Sequence, residues 1–201
     1  MGILHHDNEF GRSILELLQK ELKGTGGIVE AEDIKPAIVD LKESIARLID
    51  MEAIYITGYI GLLENIFKQL KEQNFRGFIL SMNNASFPTI VTIPEAQGSY
   101  VAAPIIYNPN FLFAKEMGEK YVTRYDKPIN HAAAVGYDFI KILAGLLEDK
   151  EVSRESVKSV LEAGFIYSGV FGTLNVQPGE HDIVFPLHPA QIVDGEIKYL
   201  R

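Results

Sequence analysis

Residues 53–81 read AIYITGYIGLLENIFKQLKEQNFRGFILS. Residues 53–57 form a short apolar run, and residues 77–81 form another. Between them, Leu62, Leu63, Ile66, Phe67 and Leu70 recur at the spacing that lines one face of a helix. Strand, helix and strand in this order make a βαβ unit, whose two strands run parallel. The same alternation continues upstream. Residues 2–6 are apolar, Asp7 and Asn8 offer helix-capping chemistry, and Ile14, Leu15, Leu17, Leu18 and Leu22 make a helical stripe. The glycines from Gly24 to Gly27 end that helix, residues 28–34 predict a second strand, and Leu41, Ile45, Leu48 and Ile49 mark a second helix. Downstream, residues 87–94 are ambiguous, with Pro88 and Pro94 limiting any helix there, and residues 100–106 predict a fifth strand. The fold class is therefore α/β, with a doubly wound, mostly parallel sheet. Its ligand-facing loops belong at the carboxyl ends of the strands.

The pattern changes after Asn108-Pro109. Residues 111–125 and 130–147 predict consecutive helices, broken at Asp126-Lys127-Pro128, and residues 154–163 predict a third. GVFGTLNV (169–176) follows, then a Pro178-Gly179 turn, then AQIV-DG-EIKYL (190–200). Asp-Gly between two alternating runs is a hairpin signal. The expected organisation is residues 1–108 as the α/β core, 109–170 as a helical segment, and 171–201 as a β-rich segment.

The chain has 201 residues, 47% of them hydrophobic, which is enough for a sizeable core. Its formal net charge of −8 argues against nucleic acid or anionic membrane as a partner. It has no cysteine, so disulfide and thiolate chemistry are excluded. No apolar run approaches the roughly 20 residues that span a bilayer. Met1 is followed by a short apolar strand rather than a charged leader and a long apolar run, so no signal peptide is read at the start.

Catalytic motifs are absent: the sequence has no GxSxG, no HExxH and no Walker A run. Gly24-Thr25-Gly26-Gly27 follows a helix and precedes a strand, the reverse of the order a phosphate cradle needs. It reads as a helix-ending turn. His5, His6 and Asp7 invite a metal reading, but neighbours on a strand point to opposite faces and no further ligands are suitably spaced. Asp7 as a receiver-type phosphoacceptor would need a lysine after the fifth strand, where Tyr107 and Asn108 stand instead. No cofactor is expected. The aromatic residues are more informative. Phe10 follows the first strand, Tyr59 the third, and the loop SMNNAS, with Met82, Asn83 and Asn84, follows the fourth. All three loops open on one sheet edge, where rings and carboxamides suit a small ligand with polar and apolar parts. On the residues alone, Phe10 packing on its own helix and Asn83-Asn84 forming a plain turn are equally good readings.

The order of these segments resembles the second part of a type I periplasmic solute-binding protein of the branched-chain amino-acid-binding kind. HHDNEFG resembles the segment that opens the second lobe of that family, and ITGY resembles a loop whose aromatic residue lines the cleft. The stretch from YVTRYDKPINHAAAVGYD (121–138) to the terminal strand pair resembles the closing part. The resemblance implies a second lobe at 1–108, a return segment at 109–170, and a stretch rejoining the lobe at 171–201. It also implies ligand contacts at Phe10, Tyr59, Met82, Asn83 and Asn84, a membrane permease or sensor as partner, and a periplasmic or extracytoplasmic location. Many amino-acid binders carry an acidic residue in the loop after the fourth strand, to pair with the ligand ammonium. SMNNAS has none, which favours a neutral ligand or a carboxylate lacking an amine. With only one face of a cleft present, weak affinity is expected. The stripe Val135, Phe139, Ile142, Leu143, Leu146 and Leu147 belongs with the first lobe in that family, so packing against another surface or a homodimer is expected.

Two rival readings use the same residues. A small doubly wound enzyme would use His6, Asp7 and Tyr59 in acid–base roles. A sensor or regulatory module would reuse the lobe for interaction.

Overall fold

The computed structural model describes all residues except 26, 28, 36–38, 105–111, 128 and 201. The chain divides into two compact units: Met1–Ala103 with His188–Arg201, and Pro104–Leu187.

The first unit is built on a seven-stranded sheet. Its strands are β1 (Gly2–His6), β2 (Glu30–Ile34), β3 (Ala53–Ile56), β4 (Phe78–Ser81), β5 (Tyr100–Pro104), β8 (Leu187–Val193) and β9 (Glu196–Tyr199), in spatial order β2-β1-β3-β4-β5-β8-β9. The pairs from β2 through β5 are parallel, and β8–β9 is an antiparallel hairpin. Asp194 and Gly195 both have positive φ, as a two-residue type I′ turn requires. The chain passes from β1 outward to β2, then returns across β1 to add β3, β4 and β5 on the other side. The winding direction therefore reverses between β1 and β3. Leu4 pairs with Ile56, and Ile56 with Ser81, so β1, β3 and β4 end nearly level.

The helices follow the apolar stripes. In α3 (Ile60–Glu72), Leu63, Ile66, Phe67 and Leu70 are wholly buried against Leu4, Ile54, Ile56, Ala190 and Ile192 of the sheet. Gln69, on the same helix, accepts from Leu41 N–H (2.7 Å) and donates to the Val39 carbonyl (2.7 Å), which clasps the approach to α2 (Lys42–Arg47). In α1 (Glu9–Leu22), Asn8 caps the helix by accepting from Gly11 N–H at 2.8 Å. Its stripe is only half-buried, and Leu17 points to solvent. Gly11 lies so close to β1 that a Cβ there would sit 2.0 Å from the His6 carbonyl oxygen. The ambiguous stretch becomes α4 (Pro88–Val91), which starts on Pro88 where no N–H is needed, followed by a 3₁₀ turn at Pro94–Ala96.

The second unit comprises α5 (Leu112–Tyr125), α6 (His131–Leu146), α7 (Arg154–Glu162) and the hairpin β6 (Phe165–Gly169) and β7 (Gly172–Val176). Asn130 caps α6 and Ser153 caps α7. The core is small: Ala114, Ala134, Val170 and Phe171 are buried, with Met117, Ile129, Val135 and Phe185 packed around them. Beside it Asp138, fully buried on α6, accepts from Val170 N–H (3.0 Å), Phe171 N–H (3.3 Å) and Tyr167 O–H (3.2 Å). One carboxyl group thus satisfies the hairpin turn that would otherwise bury bare backbone donors. Burial, and then the Asp138 charge, raise the pKa of the Tyr167 phenol, which keeps it a donor.

Candidate functional site

The carboxyl ends of β1 and β3 flank the reversal of winding, where a crevice opens in doubly wound sheets. After β1, Asp7 N–H donates to the Ile34 carbonyl (3.1 Å) and Asn8 N–H to the His6 carbonyl (2.8 Å). This tight turn sets Phe10 in the first turn of α1, at 45% exposure. After β3, extended backbone at Tyr59 opens α3 and leaves its ring 70% exposed. After β4, Met82 leads into a 3₁₀ turn at Asn83–Ser86, where Met82, Asn83 and Asn84 are half-buried.

Side-chain contacts tie these loops together. The His6 imidazole lies against the Tyr59 ring, with centroids 5.5 Å apart and planes at 49°, linking the end of β1 to the β3 loop. Asn84 Nδ2 donates to the Gly58 carbonyl at 3.2 Å, linking the β3 and β4 loops. Ser81 Oγ donates to the Ile56 carbonyl at 3.1 Å beneath them. Tyr59 and Asn84 are therefore brought together through adjacent residues, with Met82 and Asn83 in the same turn. Phe10 shares the edge but makes none of these ties. The roles of His6 and Gly58 were not read from the sequence. Two histidines on alternate faces of a strand, and a glycine just before an exposed tyrosine, were the available signals.

His5 and His6 turn to opposite faces. His5 Nε2 meets Asp33 Oδ1 at 3.1 Å and its Nδ1 lies 3.0 Å from the His6 carbonyl. His6 Nε2 is buried with no hydrogen-bond partner among the described residues. Burial, and secondarily His5, lower the pKa of His6, so its ring is neutral around pH 7. The Asp7 carboxylate is held by Arg12 at 2.9 Å, not by His6. An acid–base reading needs a base oriented by a partner, and among the described residues the His6 ring has a ring contact with Tyr59 and no hydrogen-bond partner at Nε2. Among the described residues no group of three or more His, Asp or Glu is placed to hold a metal ion.

A wide groove lies elsewhere, within the second unit. It measures about 960 Å³ and is floored by Phe139, Val157, Leu161 and Phe165, with Arg154 and Asp182 among its charged borders. Of the stripe on α6, Ile142 is buried, Val135, Leu143, Leu146 and Leu147 are half-buried, and Phe139 is 43% exposed. An apolar floor with charges at its margin is the composition of a protein-packing face. The edge at β1 and β3 is the better small-ligand candidate, because its polar groups converge from three loops.

Comparisons with known proteins agree with this architecture. The family model described as periplasmic binding protein matches residues 1–196. No curated protein matches the chain. Among solved structures, a leucine-binding protein, LivK, from Thermotoga maritima shares 21% identity and superposes with a TM-score of 0.84, covering 100% of this chain and 59% of that one. The solute-binding protein of an ABC transporter from R. palustris, solved with benzoate, shares 13% identity at a TM-score of 0.84, covering 99% of this chain and 57% of that one. LivJ from Streptococcus pneumoniae, solved with isoleucine, shares 18% identity at 0.82, covering 98% of this chain and 57% of that one. The chain thus spans less than two thirds of the length of each of these proteins.

Proposed function

We propose that this chain, which belongs to the periplasmic binding protein family, binds a small solute at the carboxyl edge of β1, β3 and β4. The family is one of non-catalytic solute binders, and no helix among the described residues is long and apolar enough to cross a membrane. The observation that carries the reading is the reversal of winding between β1 and β3, with Phe10 and Tyr59 standing directly beyond those two strand ends. Phe10, Tyr59, Met82, Asn83 and Asn84 line the edge. Asn84 spends one donor on Gly58, leaving its carbonyl oxygen and the Asn83 amide for a ligand. Met1–Ala103 with His188–Arg201 act as one lobe face, and Pro104–Leu187 as the return segment. A membrane permease or a sensor outside the cytoplasm receives the loaded protein.

The solute is a small polar molecule or a carboxylate without an ammonium group. Residues 81–86 contain no acid to pair with an ammonium, and an unpaired buried charge costs several kcal/mol. Benzoate, in the R. palustris relative, is a ligand of this kind, whereas leucine and isoleucine are not. Amide chemical shifts of the full chain, titrated with benzoate and separately with leucine, test the reading. Benzoate should shift residues 10, 59 and 82–84, and leucine should shift them far less. Shifts confined to other residues would remove the proposal. The apolar groove of the second unit is the face through which a homodimer would form. A chain that sediments as a monomer at every concentration tested would exclude that dimer.

A further inference from the structure

The two edge strands of the seven-stranded sheet differ in charge. β2 closes one end and β9 the other. β2 carries Glu30, Glu32 and Asp33, a row of one sign that repels a second copy of itself. β9 reads Glu196, Ile197, Lys198, Tyr199 and carries one charge of each sign.

The hairpin fixes which backbone groups β9 turns outward. Val193 pairs with Glu196 across the Asp194-Gly195 turn, and Leu200 N–H donates to the Pro189 carbonyl at 2.9 Å. Bonded and non-bonded positions alternate along an antiparallel ladder, so Glu196 and Lys198 turn their backbone groups to β8. Ile197 therefore points its N–H and carbonyl away from β8, at the outer side of the sheet. Its side chain packs against the core of the first unit, which fixes that stretch of backbone. Glu196 and Lys198 are exposed on one face of the strand, where their side chains pair with each other.

We propose that β9 pairs with β9 of a second copy of this chain, antiparallel and centred on Ile197, so that the two sheets run on as one across a twofold axis. Ile197 of each copy donates to and accepts from Ile197 of the other. Charge selects this register. Centred on Ile197, the pairing sets Glu196 opposite Lys198 of the second copy, and symmetry repeats the match. The neighbouring registers that keep outward-turned residues opposite one another are centred on Glu196 or on Lys198. They place glutamate against glutamate or lysine against lysine. Tyr199, 43% exposed, comes opposite Gly195 of the second copy, a position with no side chain of its own. The strand is short, so the contact is small and belongs to the weak, transient class. It uses none of the residues that line the groove of the second unit, and it does not depend on the reading of the ligand edge.

A concentration series of the full chain, from about 10 μM to about 1 mM, tests the pairing by sedimentation velocity and amide chemical shifts. Association should grow across the series, with shifts centred on residues 195–199. Lys198→Glu leaves the strand with two acids, and Glu196→Lys leaves it with two lysines. Each variant alone should self-associate about tenfold more weakly, because like charges then face each other. Mixed in equal amounts, the two variants should associate at least as well as the original chain, since every acid again meets a lysine. Both positions are exposed, and recovery in the mixture shows that the variants are folded. Three results would overturn the proposal: a chain that stays monomeric throughout, a dimer that neither single variant weakens, or a mixture that associates no better than its components.

Discussion

The two units bury themselves by different means. The first packs aliphatic residues of α2 and α3 onto a mostly parallel sheet, and its centre is continuous: Leu4, Ile54, Ile56, Leu63, Ile66, Phe67 and Leu70 are all inaccessible. The second has a smaller core cluster of Ala114, Ala134, Val170 and Phe171 and sets Asp138 beside it to satisfy a hairpin turn. Apolar burial is non-directional and tolerates adjustment, whereas a buried carboxyl group with three donors depends on each of them. The first unit is thus a rigid platform for loops. The second is held at one polar point and leaves a wide apolar groove beside it.

Two substitutions compared by hydrogen exchange, each read in its own unit, would sharpen this contrast. Phe67→Ala should have the largest effect, about 3–5 kcal/mol from lost burial and the cavity left behind. Its effect should spread across the first unit. Asp138→Leu should cost about 2–4 kcal/mol, because Val170 N–H, Phe171 N–H and Tyr167 O–H lose their acceptor. Loss of protection should begin at residues 167–171. A neutral outcome for Asp138→Leu would break the comparison and show the second unit to be held by its apolar groups alone.

Acid should act more gently, and on both units. His6 in the first and His131 in the second have pKa values below the ordinary 6.5, through burial in each case and, for His6, additionally through His5. The unfolded chain then binds these protons more readily than the folded one. The stability at stake is complete above about pH 6.5 and is lost as pH falls from there towards the folded-state values. Thermal midpoints should be flat from about pH 8 to 7 and then decline. His6→Gln should remove the first unit's share of that slope and His131→Gln the second's. A slope unchanged in both variants would assign it to other groups.

Much of the first unit was legible because period and element agreed. Leu63, Ile66, Phe67 and Leu70 are buried as their spacing requires, and Asp194-Gly195 takes the positive φ pair its hairpin demands. Leu17 departed from its stripe because α1 lies only half against the sheet, leaving one more apolar position than the contact can cover. The short turns of residues 83–96 could not be read, since prolines restrict conformation without choosing among brief helices. At the ligand edge, the strand ends that carry Phe10, Tyr59 and Met82 followed from periodicity. The tie from Asn84 to Gly58 did not, because it depends on how two loops meet. Asp138 was likewise hidden: an acid on a helix reads as solvated until the hairpin amides that surround it are placed.

The sheet of the first unit has a temporal consequence. Its β8 and β9 come from the end of the chain, and Gly98 N–H reaches the Ile192 carbonyl at 2.8 Å while Gly195 N–H reaches Gln97 Oε1 at 3.0 Å. On the ribosome, β1 to β5 can assemble as they emerge, but the outer side of β5 stays unpaired until all the intervening residues have been made. During that interval the nascent chain offers an open strand edge to any extended segment nearby. Synthesis speed through residues 104–187 sets how long that edge waits for its own partner.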